Sequence, residues 1–145
     1  MKKISTFKGE YEFLSNFYHA PMIINDVVYP TVEHFFQSKK AGINKEYWLR
    51  EILLDNNPSY AKSVGRCIPL RSDWEKIKND VMYKGLQYKF SQHHNLKRKL
   101  IETGDAELVE GNNWNDTYWG VCKGIGKNQL GKLLMKLRSL IKSGV

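Results

Sequence analysis

The chain contains few cysteines and none of the spacings that bind metals. Cys67 and Cys122 are its two cysteines, and they lie far apart in a sequence of 145 residues. Lone thiols outside a CxxC motif are typical of reduced, mostly buried residues. The pair His93-His94 has no Cys, Asp or Glu at the spacing of a metal ligand. We therefore expect neither a disulfide framework nor a metal site, and no other cofactor is predicted.

Long hydrophobic runs are also missing. No segment approaches the roughly 20 apolar residues of a membrane-spanning helix. The charged start, residues 1–5, is not followed by the apolar segment of a signal peptide. Linkers, repeats and low-complexity stretches are absent, and the composition, with 41% hydrophobic and 12% aromatic residues, argues against disorder. The sequence predicts one domain over residues 1–145 in a cytoplasmic protein that does not contact a membrane.

Acidic residues are scarce relative to basic ones. The chain has 23 Lys and Arg against 15 Asp and Glu, which gives a net charge of +8. Such an excess favours anionic partners, either nucleic acid or phosphorylated small molecules. The lysines are spread along the chain, with one cluster at residues 97–99, so a basic surface that serves solubility is the alternative interpretation.

Turn signals and periodicity predict a few short strands and several helices. Residues 22–24 and 27–29 flank Asn25-Asp26, which is the pattern of a β-hairpin with a two-residue turn. Short strands are also expected at residues 107–110 and 118–122. Helices are predicted after Thr31, over residues 46–55, from Pro58 onward, from the Ser72–Glu75 capping box onward and over residues 95–102. A last helix is predicted after Asn128, which serves as its N-cap. The predicted fold class is therefore α+β and mostly helical.

Residues 31–41 combine an acid, an amide and two lysines with aromatic residues on one predicted helix. Thr31 is a suitable N-cap for that helix. Glu33, Gln37 and Lys40 follow one another at spacings of four and three, which predicts a polar stripe along one side. Such a stripe indicates a small-molecule site. Glu33 also has a structural interpretation, because acids in the first turn complement the helix dipole.

Residues 111–120 form a second unusual segment, with one carboxylate, three asparagines and two tryptophans. The pattern is compatible with a binding site that presents polar groups between aromatic walls. Turn formation explains the asparagines equally well. In the structural alternative, the tryptophans belong to the core and Asp116 caps a turn.

Two basic motifs are candidate phosphate sites. Lys62 and Arg66 stand four residues apart on a predicted helix, so the pair can hold a phosphate or can form a solvated basic face. Residues 126–132 match the GxxxxGK pattern of a phosphate loop. The following residue is Leu133, where magnesium would need a Ser or Thr oxygen, and this excludes a nucleoside triphosphatase.

Taken together, these segments resemble the NADAR superfamily, also called YbiA-like. The resemblance spans nearly the whole chain, and Ser38, where the family usually has Ala, is a small departure. The matching segments, in family order, are residues 7–18, 29–41, 61–62, 65–66, 73–74, 81–82, 89–90, 103–105, 108–110, 116–120 and 128–135. The resemblance implies a compact, helix-rich NADAR domain with N-glycosidase activity. Family members resemble enzymes that cut the ribose–amine bond of phosphorylated riboflavin precursors, or that remove ADP-ribose from guanine in nucleic acid.

The resemblance also implies catalytic roles. Cleavage of a ribosyl C–N bond develops positive charge on the sugar and negative charge on the leaving base, so it calls for a carboxylate and a proton donor. By resemblance, Glu33 and Asp116 are the acid/base pair. Lys40 is either a charged group that binds phosphate or the departing base, or a neutral amine that forms a Schiff base with the opened ribose.

The remaining expected site residues contact the substrate. Trp74 and Trp119 are expected to enclose the base or sugar. The other predicted substrate contacts are Asn16, Phe17, Gln37, Lys62, Arg66, Lys89 and Gly120, of which Lys62, Arg66 and Lys89 are the phosphate candidates. For Trp74 and Lys89 the alternative is a place in the core, because aromatic and amphipathic side chains also fill cores.

The predicted substrate is a phosphorylated ribosyl or ADP-ribosyl compound, with ADP-ribosylated nucleic acid as a further partner. A catalytically silent ADP-ribose or nucleotide-binding protein is the alternative, because it would keep the tryptophans and the basic residues. A plain nucleic-acid-binding module is a third interpretation, and it predicts salt-sensitive binding to unmodified DNA or RNA.

Overall fold

A computed structural model describes residues 2–144, which form helices and a few short strands. The strands are β1 (Lys3–Ile4), β2 (Met22–Ile24), β3 (Val27–Tyr29), β4 (Glu107–Leu108), β5 (Gly111–Asn112) and β6 (Val121–Cys122). The helices are a 3-10 helix (Gly9–Leu14), α1 (Val32–Ser38), α2 (Lys45–Ile52), α3 (Pro58–Gly65), α4 (Trp74–Gln92), α5 (His94–Glu102) and α6 (Gln129–Lys142). The predicted α+β, mostly helical fold class is confirmed. Within the described range, none of the helices has the length and apolar character needed to cross a membrane.

The chain divides into two compact units. One is the continuous segment Asn16–Gln92, and the other combines residues 2–15 with residues 93–144. The single domain expected over residues 1–145 stays a prediction.

A β-hairpin opens the continuous unit, as predicted. Strands β2 and β3 are antiparallel, with Met22 opposite Tyr29 and Ile24 opposite Val27. Asn25 and Asp26 both have positive φ, at 51° and 66°. A two-residue turn with two left-handed residues matches the twist of the flanking strands, and Asn and Asp tolerate that conformation better than most residues.

Helix α1 lies among the other helices of this unit and contacts α2, α3 and α4. Thr31 caps it as predicted, because its side-chain oxygen accepts a hydrogen bond from the His34 backbone N–H at 3.2 Å. Phe35 packs edge-on against Tyr29 and Tyr88, and Phe36 packs against Trp74 with ring centroids 5.1 Å apart. These contacts bury the apolar side of α1.

Helix α2 ends at Ile52, three residues before the predicted end at residue 55. The following residues make the cap of the next helix instead. The Asn57 N–H donates to Asp55 Oδ1 at 2.8 Å, and Asn57 Oδ1 accepts from the Ser59 N–H at 2.9 Å. Pro58 occupies the first position of α3, where its missing N–H costs no hydrogen bond.

Two predicted helix starts are shifted or capped differently. Helix α4 begins at Trp74, so Asp73 rather than Ser72 occupies the N-cap position. Asn128 does precede α6, but its φ is 52° and its side chain makes no cap hydrogen bond. The Asn128 side chain accepts from the Glu110 N–H and donates to the Leu108 carbonyl instead, so it ties the start of α6 to β4 and the residues after it.

The second unit contains two small parallel sheets. Strand β1 pairs with β4, and β5 pairs with β6. These strands are shorter than the predicted strands at 107–110 and 118–122. Helix α6 packs on β4 and α5, with Leu130, Leu134 and Leu137 buried as its periodicity predicts.

Candidate functional site

The first turns of α1 carry a buried acid–amide pair. Glu33 and Gln37 are 7% and 4% exposed. Gln37 Nε2 donates a hydrogen bond of 2.5 Å to Glu33 Oε2. The polar stripe predicted on this helix is therefore present at these two positions, and the acid is held in one orientation by its neighbour.

Lys40 lies beyond the end of α1 rather than on it. Its backbone N–H still donates to the Gln37 carbonyl at 3.2 Å, so the chain continues as a turn. The half-buried side chain places Nζ 6.0 Å from the centre of the Phe36 ring. Glu33, Gln37 and Lys40 therefore lie in one unit. The helix places Glu33 next to Gln37, whereas Lys40 is placed by the turn that follows the helix.

The segment before the hairpin also contributes to this region. The Asn16 carbonyl accepts from the Glu33 backbone N–H at 3.2 Å, and Asn16 Nδ2 donates to Met82 Sδ at 3.3 Å. Among the residues described, Asn16 Oδ1 and Gln37 Oε1 are buried side-chain oxygens without a hydrogen-bond partner. A buried acceptor left without a donor costs roughly 1–3 kcal/mol. Buried acceptors without a partner are uncommon in folded proteins, and they are found at catalytic sites among other places.

Several cations surround Lys40. Burial lowers the pKa of Lys40 most, and the nearby charges of Arg66, Lys62 and Lys78 lower it further, whereas Glu33 raises it. The unit therefore brings several positive charges near Lys40, although Lys78 also pairs with Glu75 at 2.8 Å, and this arrangement suits a phosphorylated ligand.

The two basic residues predicted from the sequence lie at α3. Lys62 is half-buried on the helix, with Nζ 6.0 Å from the centre of the Phe17 ring, and Arg66 is its exposed C-cap residue. Phe17 is 39% exposed. Lys78 was missed by the sequence analysis, although it stands one helical turn after Trp74 and a helical projection could have found it.

Two predicted contact residues are deeply buried. Trp74 is 4% exposed and packs on Phe36, which agrees with its core interpretation. Lys89 is fully buried between aromatic rings, with Nζ 5.6 Å from the Tyr18 centroid and 5.2 Å from the Phe90 centroid. Burial lowers the pKa of Lys89 to about 7. Substrate contacts by Trp74 and Lys89 stay predictions.

The remaining predicted residues belong to the other unit. Asp116 is half-buried, and its Oδ1 accepts from the N–H groups of Tyr118 and Trp119 at 3.1 and 2.9 Å. This is the turn-capping geometry given above as its structural alternative. The half-buried Trp119 ring packs edge-on against Tyr118, with centroids 4.8 Å apart.

Gly120 packs closely on a carboxylate that the sequence analysis did not select. A Cβ at position 120 would overlap with Glu110 Oε2. The same Oε2 accepts from Asn112 Nδ2 at 3.1 Å. Glu110 is therefore a further acid beside this segment. It ends the family-matching residues 108–110, but no local pattern predicts its contact with Gly120, because that contact depends on the β5–β6 pairing.

The described residues do not meet the requirements of a metal site. Within residues 2–144, no group of three or more His, Cys, Asp or Glu side chains could hold a metal ion. His34, the buried histidine of α1, is occupied by Thr31 Oγ1 and by the Asp55 carbonyl, at 2.8 and 2.9 Å.

Comparison with known proteins defines the class. The family model of the NADAR domain matches residues 5–142. The chain belongs to the NADAR domain family, as its sequence segments predicted.

Particular relatives narrow this class. N-glycosidase YbiA of Escherichia coli is 42% identical over 132 residues, which cover 89% of this chain and 81% of YbiA. The NMR structure of E. coli YbiA matches with a TM-score of 0.86 at 38% identity, and covers 99% of this chain and 88% of that one. An N-glycosidase of Nostoc punctiforme is 34% identical over 92% of this chain and 87% of its own length. The chloroplastic riboflavin biosynthesis protein PYRR of Zea mays is 40% identical over 78% of this chain and 20% of its own length. The names of the relatives from Escherichia coli and Nostoc punctiforme confirm the predicted enzyme class, hydrolases that act on N-glycosyl bonds.

Proposed function

We propose that this protein hydrolyses the C–N bond between a phosphorylated ribose and a base. The observation that carries the proposal is the buried Glu33 carboxylate, which is held by Gln37 and surrounded by the cations near Lys40. A buried acid beside a basic cluster suits a sugar that becomes cationic while its phosphate stays anionic.

Glu33 is proposed to act at the anomeric carbon. In the reaction the C–N bond breaks, its electron pair leaves with the base, and a proton goes to the base nitrogen. Water forms the new C–O bond and gives up a proton. Glu33 stabilises the cationic sugar or takes the proton from water, and Asn16 Oδ1, a buried acceptor without a partner, accepts a hydrogen bond from a sugar hydroxyl.

Asp116 is retained as the proposed second carboxylate. Its Oδ1 already accepts two backbone hydrogen bonds, which fixes the orientation of the carboxylate before a substrate arrives. Trp119 and Gly120 follow it in the chain and are retained with it as proposed substrate contacts.

The phosphate is proposed to bind the cations near Lys40. Lys62, Arg66 and Lys78 each lower the pKa of the Lys40 amine through their charge. An anionic phosphate would offset this repulsion and would accept charge-assisted hydrogen bonds from the same groups. Phe17, beside Lys62, offers a partly exposed aromatic face for the base or sugar.

Two substrates satisfy this chemistry. A ribosylamino-pyrimidine 5-phosphate of the riboflavin pathway is favoured by the relative from Zea mays, whose name is that of a riboflavin biosynthesis protein. ADP-ribosylated guanine in nucleic acid is the second candidate, and the net charge of +8 favours it.

Lys40 has two proposed roles that an experiment can separate. As an ammonium it binds phosphate or the departing base. As a neutral amine it attacks the aldehyde of the opened ribose, and the resulting imine forms with loss of water. Borohydride added during turnover would reduce such an imine and leave the sugar on Lys40, detectable as a mass increase. An unmodified Lys40 in an active reaction favours the ammonium role.

The test of the proposed function is product release by the purified protein from both substrates. Release of ribose 5-phosphate from the pyrimidine compound supports a metabolite-directed enzyme. Release of ADP-ribose from an ADP-ribosylated guanine oligonucleotide supports a nucleic-acid-directed one. Binding of ADP-ribose without release from either substrate would contradict the proposal and favour the catalytically silent reader.

A further inference from the structure

We propose that Gly65 is a positioning residue that sets the orientation of the Glu33 carboxylate through Gln37. The inference rests on the proposed function of Glu33 and extends it to a glycine of the neighbouring helix. Gly65 ends α3, and Gln37 lies on α1, which packs against α3.

The close approach of the two helices depends on the missing side chain. A Cβ at position 65 would overlap with Gln37 Oε1 and would lie 2.6 Å from Gln37 Cδ. Gly65 is not among the residues with positive φ, and its backbone is helical. Alanine is a better helix former than glycine, so neither backbone conformation nor helix propensity calls for glycine here. The contact with Gln37 does.

The orientation of the Gln37 amide is fixed from both ends. An ionised carboxylate can only accept hydrogen bonds, so Glu33 selects the amide orientation that points Nε2 toward it. Oε1 then points at Gly65 and is a buried acceptor without a hydrogen-bond partner. Only a glycine leaves room for an oxygen at that place.

A methyl group at position 65 would therefore act on the acid. Gln37 is 4% exposed, so it has little free space into which to move, and any displacement changes its hydrogen bond to Glu33. A misplacement of about 1 Å at a catalytic group can cost on the order of 100-fold in rate. Because α3 also carries Lys62, the same helix would bind the phosphate and hold the acid in place.

The test is a set of glycine and glutamine variants assayed with whichever substrate the wild type cleaves. Gly65→Ala should lower kcat about 10-fold or more while KM changes little. Gly85→Ala is the matched control. Gly85 is also a helical glycine against α1, but an added Cβ there meets the apolar side chains of Phe35 and Val32 at 3.1 and 3.2 Å. It should alter thermal stability without a comparable fall in kcat.

A double-mutant cycle separates positioning from simple packing. In a Gln37→Ala background the side chain that Gly65 accommodates is gone, so adding Gly65→Ala should cause no further fall in kcat. An equal fall in both backgrounds, or a wild-type kcat for Gly65→Ala, would overturn the inference.

A spectroscopic readout keeps the inference testable without turnover. The side-chain NH₂ resonances of Gln37 should shift in Gly65→Ala and in Glu33→Gln, and should stay in place in Gly85→Ala. If the wild type cleaves neither substrate, the proposed function fails, and the Gln37 resonances alone then test whether Gly65 positions Gln37. Unshifted Gln37 resonances in a folded Gly65→Ala protein would then contradict the positioning role.

Discussion

Lys89 makes the stability of the folded protein depend on pH. Its folded-state pKa is about 7 because the side chain is fully buried, whereas an unfolded lysine has a pKa near 10.4. Between these values the unfolded chain binds more protons than the folded chain, so stability rises as pH increases through this window. Below pH 7 the full cost of the buried amine is present.

Replacement of Lys89 by methionine should therefore stabilise the protein. We expect Lys89→Met to raise the free energy of unfolding at pH 6 by roughly 2 kcal/mol, because burial of a charged amine is costly and methionine fills a similar volume. Urea denaturation at pH 6, 8 and 10 should show a flatter pH dependence than in the wild type.

Lys76→Met serves as the control for this series, because Lys76 is an exposed lysine of the same helix. A wild type whose stability is flat from pH 6 to 10, or a destabilised Lys89→Met, would contradict the account of Lys89. A stable Lys89→Met protein that has lost activity would instead support the predicted substrate contact.

Asp116 offers a second residue-scale prediction, since its charge and its capping role can be separated. Asparagine keeps an oxygen that can accept the Tyr118 and Trp119 N–H groups, so Asp116→Asn should stay within about 0.5 kcal/mol of wild-type stability. Asp116→Ala removes both acceptors and should cost about 1–3 kcal/mol, measured by urea denaturation.

Activity of the asparagine variant then decides the proposed role of Asp116. If the carboxylate takes part in proton transfer, the stable Asp116→Asn protein should lose about 100-fold or more in kcat. Near-wild-type turnover would leave Asp116 with its turn-capping role alone.

The sequence was informative about residues whose contacts are local. The Thr31 cap and the Glu33–Gln37 pair involve side chains three or four positions apart, and helical geometry alone specifies such contacts. It was silent about the contacts of Glu110 and Gly65, because these depend on how distant segments pack. Lys78, one turn after Trp74 on α4, could have been found by a helical projection. Which of two interpretations applies, as for Trp74, is likewise decided by packing rather than by residue type.

At the scale of elements, α3 is the part of the site with the clearest electrostatic role. It carries Lys62 on its surface and Arg66 at its C-cap, both close enough to Lys40 to lower its pKa. Because each charge-assisted hydrogen bond to a phosphate contributes roughly 1.5–3 kcal/mol, Lys62→Gln and Arg66→Gln should each raise KM about 10-fold or more. The kcat should fall much less.

The matched control for these variants is Lys132→Gln, an exposed lysine of α6. KM should also rise with ionic strength in the wild type, and less steeply in the α3 variants. Equal KM values for the wild type and both α3 variants would refute a phosphate site on this helix.

Elements with strong local signals were predicted more closely than those without. The hairpin at Asn25-Asp26 and the leucine-rich α6 were expected because turn chemistry and periodicity specify them. Helix α2 ended earlier because Asp55 and Asn57 form the cap of α3, and such competition between a helix end and the next cap is not visible in periodicity. The parallel pairing of β1 with β4 joins segments that lie far apart in the sequence, and no local pattern encodes it.

For the whole molecule, family membership and physical composition agree. The family model covers residues 5–142, and the net charge of +8 suits the phosphorylated substrates proposed above. The composition alone indicates an anionic ligand, whereas the choice of an N-glycosyl bond comes from the family and from the buried acid on α1.

The most direct test of the central claim compares the wild type with Glu33→Gln for both binding and product release. Glutamine keeps the size of the side chain and removes its charge and its ability to take up a proton. The account predicts that Glu33→Gln binds ribose 5-phosphate or ADP-ribose within about threefold of the wild type, while base release falls about 100- to 10,000-fold. Glu46→Gln, which removes an exposed carboxylate of α2, should keep full activity. A Glu33→Gln protein that releases base at the wild-type rate would contradict the account.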